Sequence, residues 1–505
     1  MNIKDIKLQG WRGDVLALAS GLLLPLAFAP FSIAPLAIVS LLLLFICWHQ
    51  VTARQAFWRG WLFGLGYFGL GVSWVSVSMI YFGGMTVPLS AVITIVFVMF
   101  LALFPATVGL ISKRFFKQYQ NTPWFVFVLV LPALWVLSEW VRSWIFTGFP
   151  WLSVGYSQIA WPLVGYAPVW GVYSISFGVA LTAGLLMYAL LESAQARKIA
   201  TGGIVSLWIV GYALTLPEWT EPVDKPISIA MIQGNIEQDK KWLPEQRIPT
   251  LDMYANLSRK NWGTDLIIWP ETALPMLYHQ AKPFLSAVAQ EARVNGTELL
   301  LGIPVYDGRT KRYFNTMLSI GALESFYEKK HLVPFGEYLP LPSFLGWFIE
   351  YFKIPMSNFS SGAGEKPLVQ VAGQQVGISI CYEDVFGEEV ISALPEATLL
   401  VNASNDAWFG DSLAPHQHLE IARLRAVETG RYMLRSTNTG VSAVIDPKGR
   451  IVSQSPQFEN HVLKHEIQPM KGITPYAIFG NLLTVLFMFA LIVTAIVLNW
   501  RKTRL

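Results

Sequence analysis

The sequence predicts a polytopic α-helical membrane domain joined to an α/β domain outside the membrane. The chain has 505 residues, 53% of them hydrophobic, and its mean hydropathy of +0.44 is too high for one soluble domain. Long apolar runs recur up to residue 216 and return at 474–499, whereas the segment between them alternates short apolar strands with amphipathic helices. The predicted boundaries are 1–220, 221–471 and 472–505, the last being a final span with its tail.

Eight apolar segments are predicted to cross the membrane. They lie at 14–30, 33–49, 57–80, 87–111, 123–145, 163–191, 199–216 and 474–499. Because a spanning helix needs about 20 residues, the first two segments are short. The first follows basic residues, as in a signal peptide, but Pro25 and Pro30 interrupt or close it and another apolar run follows at once, so we expect it to be retained.

Basic residues predict the orientation of these spans. Lys and Arg precede the first span, follow the second and fourth, separate the sixth from the seventh and end the chain, whereas the connections near 31–32, 81–86 and 146–162 contain neither. By the positive-inside rule both termini are cytoplasmic, and the α/β domain lies on the other side of the membrane. Arg142, near the outer end of the fifth span, is the exception, and it either snorkels to the interface or faces the bundle interior.

Glycines cluster in the third predicted span. Gly60 and Gly64 have the spacing at which small residues let two helices approach closely. We therefore interpret the cluster as a helix-packing surface in preference to the lining of a pore.

Composition and motif spacing exclude several classes of function. The net charge of +4 is not gathered into a basic patch, so nucleic-acid binding is not predicted. The two cysteines are Cys47, inside a predicted span, and Cys381, so no disulfide framework is implied. His416 and His418 stand two residues apart on a predicted helix and point to different faces, so neither a metal site nor any other cofactor is predicted.

Other polar groups are given structural interpretations. Asn405-Asp406 is interpreted as loop chemistry, and Glu428 with Arg431 as a structural ion pair. Asn402-Ala-Ser404 fits a glycosylation pattern, but no role is assigned to it.

Chemically active residues stand at the ends of predicted strands. The strand Val376–Ile380 delivers Cys381 at its C-terminal end, the usual place for ligands in α/β sheets. Asp265–Trp269 is followed by Glu271, and Lys329 follows a third strand. Taken alone, Cys381 fits better as a small buried apolar residue. A Glu, a Lys and a Cys, each at or just past a strand end, indicate one shared site.

Three stretches of sequence carry a resemblance to a known family. They are Trp269-Pro-Glu-Thr-Ala273, Tyr327-Glu-Lys-Lys-His-Leu-Val-Pro-Phe-Gly-Glu-Tyr338 and Cys381-Tyr-Glu383. They resemble motifs of the nitrilase, or carbon–nitrogen hydrolase, superfamily and, more narrowly, of the bacterial apolipoprotein N-acyltransferases. With the flanking spans the resemblance covers nearly the whole chain. It implies that the α/β domain is an αββα sandwich with a Glu-Lys-Cys triad.

The resemblance assigns a role to each member of the triad. An unperturbed thiol has a pKa near 8.5 and is only a few per cent ionised at neutral pH, so a base and a cation must assist it. Glu271 is expected to be the general base, Lys329 the cation that stabilises thiolate and oxyanion, and Cys381 the nucleophile. Lys330, beside Lys329, is interpreted as a solvated neighbour.

Four further residues are expected to support the triad. The backbone N–H of Tyr382 is the expected second oxyanion donor, and Trp242 matches a supporting position of the family. Glu337 and Glu383 either orient Lys329 and the incoming amine or are acids in a solvated loop.

The insertion at 339–366 is unusually aromatic for a soluble enzyme. It includes Trp347, Phe348 and Tyr351, a composition typical of membrane or partner contact. We interpret it as a membrane-dipping lid with Gly362 and Gly364 as hinges, and packing on the domain core is the alternative.

The resemblance implies a bacterial inner-membrane enzyme with its catalytic domain in the periplasm. Such an enzyme transfers an acyl chain from a membrane phospholipid, through a Cys381 thioester, to the N-terminal amine of S-diacylglyceryl-cysteine apolipoproteins. The residues themselves support only a membrane-anchored thiol-acyl enzyme. A membrane-bound amidase or nitrilase-type hydrolase is the alternative. A transporter with an appended binding domain is disfavoured because few ionisable residues, chiefly Glu139, Arg142 and Glu192, lie in the spans.

Overall fold

The structure is a computed structural model that describes residues 10–116, 122, 124–339, 358–364 and 366–503, with side chains described up to residue 498. The chain forms two compact units. The first draws on residues 1–75, 88–217 and 479–505, and the second on 76–87 and 218–478. Most of the predicted lid, including Trp347, Phe348 and Tyr351, lies outside the described residues.

The part of the chain that the structure describes contains fourteen α-helices and fourteen β-strands. The α-helices are α1 (Trp11–Leu23), α2 (Pro35–Trp48), α3 (Ala53–Gly71), α4 (Val75–Tyr81), α5 (Val87–Phe115), α6 (Leu131–Arg142), α7 (Ala167–Leu191), α8 (Ala194–Ala213), α9 (Pro244–Arg259), α10 (Tyr278–Val294), α11 (Gly387–Ile391), α12 (Leu413–Thr429), α13 (Pro475–Phe479) and α14 (Leu482–Thr503). The strands are β1 (Thr220–Pro222), β2 (Ile227–Gln233), β3 (Leu266–Ile268), β4 (Glu298–Asp307), β5 (Arg312–Ile320), β6 (Ser325–Glu328), β7 (Leu368–Val371), β8 (Gln374–Ile380), β9 (Leu399–Ser404), β10 (Met433–Thr437), β11 (Ala443–Ile445), β12 (Ile451–Gln454), β13 (His461–Ile467) and β14 (Met470–Gly472).

Helices occur at every predicted span, but fewer of them are long and apolar enough to cross a membrane. Among the described residues three qualify, namely α5, Trp124–Arg142 and Pro162–Leu191. A fourth crossing results if α3 and α4, which are bent by 52° at their junction, are one span. The prediction of eight spans is therefore not confirmed, because helices such as α2 are apolar but short.

The glycines of α3 allow close packing against α5. A Cβ added to Gly60 would lie 2.6 Å from the carbonyl oxygen of Pro105, and one added to Gly64 would lie 2.5 Å from the Cα of Ala102. Both distances are far below van der Waals contact. The predicted role of these glycines in helix packing is confirmed.

Two ionisable residues of α6 bind the connection that follows this helix. Glu139 accepts hydrogen bonds from the Trp135 indole and the Val154 backbone, both at 2.9 Å. Arg142 is 2% exposed and donates to the carbonyl oxygens of Phe149 and Trp151. Arg142 therefore faces the interior, and both residues hold a loop in place, which weakens the transporter alternative further.

The α/β unit is a four-layered sandwich. Within the described ranges it contains two six-stranded sheets, in the orders β13-β2-β3-β4-β5-β6 and β12-β11-β10-β9-β8-β7, beside the pair β1-β14. The facing sides bury apolar residues of both sheets, among them Ile229 and Ile378. Helices α9 and α10 cover the outer face of the first sheet, and α11 and α12 that of the second. The αββα architecture implied by the resemblance is confirmed.

Parallel pairing places the predicted site residues at strand ends. Strand β3 runs parallel to β2 and β4, and Glu271 comes shortly after it. Strand β8 runs parallel to β9, which runs parallel to β10, and Cys381 directly follows β8. The carboxyl ends of parallel neighbours meet at one edge of a sheet, which is where ligands bind in such folds.

The α/β unit also contains a short segment from much earlier in the chain. Residues 76–87 belong to this unit, although they lie between α3 and α5. The ring of Phe82 packs edge-on against Trp408, with 5.3 Å between centroids. The unit is therefore discontinuous in sequence.

Candidate active site

The nucleophile candidate occupies a strained turn. Cys381 begins the tight helical turn Cys381–Val385 directly after β8 and has a φ of 51°, in the left-handed region. That conformation costs a residue other than glycine about 1–3 kcal/mol, so the surrounding structure must hold it. Asn402 does so in part, because its side-chain amide donates to the Cys381 carbonyl oxygen at 3.1 Å.

Lys329 lies between a buried carboxylate, Glu271, and a partly buried one, Glu337. Its Nζ is 2.9 Å from the Glu337 carboxylate and 3.8 Å from Oε1 of Glu271. The side-chain amide of Asn315, on β5, donates to Glu271 at 2.7 Å and to Glu337 at 3.1 Å. Lys329 is 1% exposed and Glu271 7%. The cation is thus paired closely with Glu337 and more loosely with Glu271.

Burial and neighbouring charge shift the pKa of each triad member. The pKa of the Cys381 thiol is raised by burial and then by the Glu271 carboxylate, while Lys329 opposes the rise. Burial also raises the pKa of Glu271, against the effect of Lys329. Burial alone would lower the pKa of Lys329, but Glu337 and Glu271 outweigh it and raise that pKa. Lys329 therefore stays cationic, and Glu271 is a stronger base than an exposed glutamate.

Glu383 ties the lysine segment to the cysteine turn. One of its oxygens accepts from the Tyr327 hydroxyl at 2.8 Å and from the backbone N–H groups of Lys330 and His331 at 2.7 and 3.2 Å. The other accepts from the Ile380 backbone at 2.7 Å. Burial raises the pKa of Glu383 to about 7, against the effect of Lys329. Glu383 is buried, and Glu337, whose side chain is 13% exposed, is bound to Lys329, so neither is an acid in a solvated loop.

The other two supporting candidates are both partly buried. Tyr382 is partly buried and packs edge-on against His331 and Phe386, with centroids 5.8 and 5.2 Å apart. Trp242 is partly buried in the loop before α9. The structure thus brings together the three triad residues with Glu337 and Glu383. Trp242 directly follows Lys241, another residue of the site, in the sequence.

Lys241 and Asn315 also contact Glu271, and neither was predicted from the sequence. Lys241 is 1% exposed, and its Nζ lies 3.5 Å from the carbonyl oxygen of Glu271. Burial lowers its pKa to about 8, against the effect of Glu271. In the sequence, Lys241 could have been noticed because it is next to Trp242. Asn315 could have been noticed because it is an amide inside an apolar strand.

A second buried polar cluster lies behind the cysteine turn and was also missed. Arg435, on β10, donates to Asp406 and to Nδ1 of His418, both at 2.8 Å. Nε2 of His418 lies 2.7 Å from Asp384, in the cysteine turn. Nδ1 of His418 also lies 3.4 Å from Asp406. Asp406 is therefore part of a buried ionic cluster, and its interpretation as loop chemistry is wrong.

The predicted pair of Glu428 with Arg431 is replaced by other partners. Glu428 pairs with Arg425 at 3.1 Å, one helical turn away on α12. Arg431 instead donates to the carbonyl oxygens of Ala397 at 2.6 Å and Gly472 at 2.7 Å. Sequence proximity suggested the wrong partner for both.

Comparison with known proteins assigns the family. Residues 20–185 match the apolipoprotein N-acyltransferase N-terminal domain, and residues 228–474 match the carbon-nitrogen hydrolase family. The chain is 47% identical over 468 residues to the apolipoprotein N-acyltransferase of Methylococcus capsulatus, covering 92% of each chain. It is 44% identical over 490 residues to that of Nitrosomonas europaea, covering 96% of each, and 42% identical over 477 residues to that of Pseudomonas aeruginosa, covering 93% of each. With its carbon–nitrogen hydrolase domain folded as an αββα sandwich, the chain belongs to the apolipoprotein N-acyltransferase family.

Proposed function

We propose that this protein moves an acyl chain from a membrane phospholipid to the N-terminal amine of S-diacylglyceryl-cysteine apolipoproteins through a thioester on Cys381. The observation that carries the proposal is the buried Lys329 ammonium, 2.9 Å from Glu337 and 3.8 Å from Glu271 in the cluster that includes the thiol. A fixed cation beside a carboxylate of raised basicity and a thiol is what thiol acyl transfer requires.

In the first half-reaction Glu271 takes the thiol proton, and the Cys381 sulfur attacks the ester carbonyl carbon of the phospholipid. Lys329 and the backbone N–H of Tyr382 stabilise the tetrahedral oxyanion. The carbon–oxygen bond then breaks, and the departing lysophospholipid oxygen takes the proton back from Glu271. The products are lysophospholipid and a thioester.

In the second half-reaction the lipoprotein amine attacks the thioester carbon. Glu271 accepts the proton that the amine loses, and the carbon–sulfur bond breaks as the amide forms. Proton return from Glu271 regenerates the Cys381 thiol. Glu337 holds Lys329, and Glu383 holds the cysteine turn, so both act through other residues, while Trp242 borders the site.

We also propose the domain division and the topology. The membrane domain comprises 1–220, the catalytic domain 221–471 and the last span with its tail 472–505. Both termini are cytoplasmic, eight spans cross the inner membrane and the catalytic domain is periplasmic, as the alternating basic residues indicate. Reporters inserted near residues 31, 83, 155 and 310 should be active in the periplasm, and those near 53, 115, 196 and the C-terminus should not. A cytoplasmic result near residue 310 would refute the topology.

The transferase and the hydrolase differ only in what attacks the thioester. We expect purified protein given phospholipid alone in detergent to gain the mass of one acyl chain on Cys381, in a bond that neutral hydroxylamine cleaves. A diacylglyceryl-cysteine peptide should then discharge it as an amide with ping-pong kinetics. Steady release of free fatty acid without any accumulated adduct would favour the hydrolase. The names of the relatives support the transferase.

A further inference from the structure

Asn402 is a fully buried amide that the mechanism above does not use. It lies on β9, opposite Ser379 of β8, and is 0% exposed. Its side-chain nitrogen donates to the Cys381 carbonyl oxygen at 3.1 Å and to the Ser379 hydroxyl at 3.0 Å. Its side-chain oxygen accepts from Arg435 at 2.8 Å. The amide thus bridges the nucleophile and the charged cluster behind it.

Arg435 fixes which way this amide points. A guanidinium has no acceptor, so the oxygen of Asn402 must face Arg435, and its NH₂ group must face Cys381. Arg435 is itself 0% exposed and is held by Asp406 at 2.8 Å. The donor offered to the Cys381 carbonyl is therefore preset by a buried charge and needs no reorientation.

The hydrogen bond acts on the next residue through the peptide plane. The peptide between Cys381 and Tyr382 is trans, since the cis bonds among the described residues lie elsewhere. In a planar trans peptide the C=O and N–H point in opposite directions. Fixing the Cys381 carbonyl toward Asn402 therefore fixes the Tyr382 N–H on the opposite side. The same bond holds the left-handed backbone of Cys381, whose φ is 51°.

We propose that Asn402, oriented by Arg435, is a positioning residue that aims the Tyr382 N–H at the oxyanion of the tetrahedral intermediates. The inference rests on the proposed function, because it takes Cys381 as the nucleophile and Tyr382 as the oxyanion donor. Asn402 touches no substrate and acts only through the peptide that it holds.

The test compares two reactions of the same thiol in the full-length protein. Acylation of Cys381 by phospholipid in detergent micelles passes through an oxyanion, whereas alkylation by iodoacetamide does not. Both can be followed by intact mass in single-turnover experiments. We expect Asn402→Ala to slow acylation about a hundredfold, the scale for loss of one oxyanion donor, and to change the alkylation rate less than about threefold. In steady state the loss should appear in kcat and not in KM.

Two further variants complete the design. Asn402→Asp keeps an oxygen for Arg435 but offers no donor to Cys381, so it should lose acylation at least as severely while remaining folded. Ser379→Ala removes only the second partner of Asn402, and it should acylate within about twofold of the unmodified protein.

The outcomes separate this inference from the proposed function. Equal losses of acylation and alkylation in a folded Asn402 variant would mean a merely structural role and would overturn the inference, as would unchanged acylation. If Asn402→Ala does not fold, Asn402→Asp decides by the same criterion. If the unmodified protein alkylates at Cys381 but takes no acyl chain from phospholipid, the proposed function itself fails.

Discussion

Two buried clusters near Cys381 contain similar charges but shift the pKa of a carboxyl group in opposite directions. In the first cluster, Lys329 forms ion pairs with Glu337 and Glu271. The pKa of Glu271 is raised, chiefly by burial. In the second cluster, Arg435 forms an ion pair with Asp406 and lies near Asp384. Burial alone would raise the pKa of Asp406 as well, but Arg435 and His418 together outweigh it and that pKa is lowered.

The difference lies in contact distance and in the neighbouring groups, because His418 also lowers the pKa of Asp406 whereas Glu337 raises that of Glu271. Arg435 donates directly to Asp406 at 2.8 Å, whereas Lys329 approaches Glu337 to 2.9 Å and stays 3.8 Å from Glu271. The carboxylate left without close contact to the cation keeps its basicity. A tightly paired carboxylate stabilises structure, and a loosely paired one beside a thiol is suited to move protons.

The largest expected effect comes from removing the members of the triad. Cys381→Ala should abolish acyl transfer, and Glu271→Gln and Lys329→Met should each lower kcat by several orders of magnitude, because cooperating groups lose most of the rate together. Cys47→Ala is the matched control and should be nearly silent. Acyl transfer to a diacylglyceryl-cysteine peptide measures the effect. An active Cys381→Ala protein would rule out covalent catalysis.

A smaller effect is expected from removing the charge of Glu337, the carboxylate that pairs most closely with Lys329. Glu337 raises the pKa of Glu271, so Glu337→Gln should lower it and shift the acid limb of kcat/KM to lower pH. A weaker base should also reduce kcat at neutral pH, by about tenfold per unit of pKa if proton transfer follows it fully. Glu328→Gln, at the end of β6, is the control. An acid limb that stays in place would contradict the comparison.

The second cluster predicts a stability effect with a definite sign. A carboxyl group with a lowered folded pKa stabilises the protein above its unfolded pKa of about 3.9, and this contribution is lost as pH falls through the folded value. Asp406→Asn should therefore lower the unfolding temperature at pH 7 and flatten its decline between pH 5 and pH 2. If the variant and the unmodified protein decline in parallel, Asp406 is not the group responsible.

An exposed ion pair provides the smallest expected effect. Arg259 and Glu291 are paired at 2.8 Å, with their side chains 47% and 38% exposed. Solvent screening limits such pairs to about 0.2–1 kcal/mol, so Arg259→Ala should barely change the thermal midpoint. High salt should reduce even that difference. A loss comparable with that of Asp406→Asn would show that exposure does not govern these energies here.

The triad was predictable because its members follow recognisable strands. Val376–Ile380 and Asp265–Trp269 have the apolar patterns of buried strands, and the structure has strands at both, β8 and β3. The motif after each strand then carries a residue to a strand end. Helix α9 begins at Pro244, before its apolar pattern starts, because proline suits the first turn of a helix.

The supporting polar network was not predictable, because its partners are distant in sequence. Asn402 had only a glycosylation pattern to distinguish it, and β10 was missed because Arg435 interrupts its apolar pattern. Arg435 is buried because Asn402 and Asp406, 33 and 29 residues away, converge on it. A single charged letter in a short strand does not reveal whether such partners exist.

Residues 76–87 belong to the α/β unit, although they lie between two helices of the other unit. The catalytic part of this protein therefore cannot be obtained by excising one continuous segment. A fragment 218–478 would lack Phe82 and leave Trp408 without its ring partner. Exchange of residues 218–478 for those of a distant relative would place a different surface against residues 76–87. Chimeras should therefore exchange residues 76–87 together with residues 218–478.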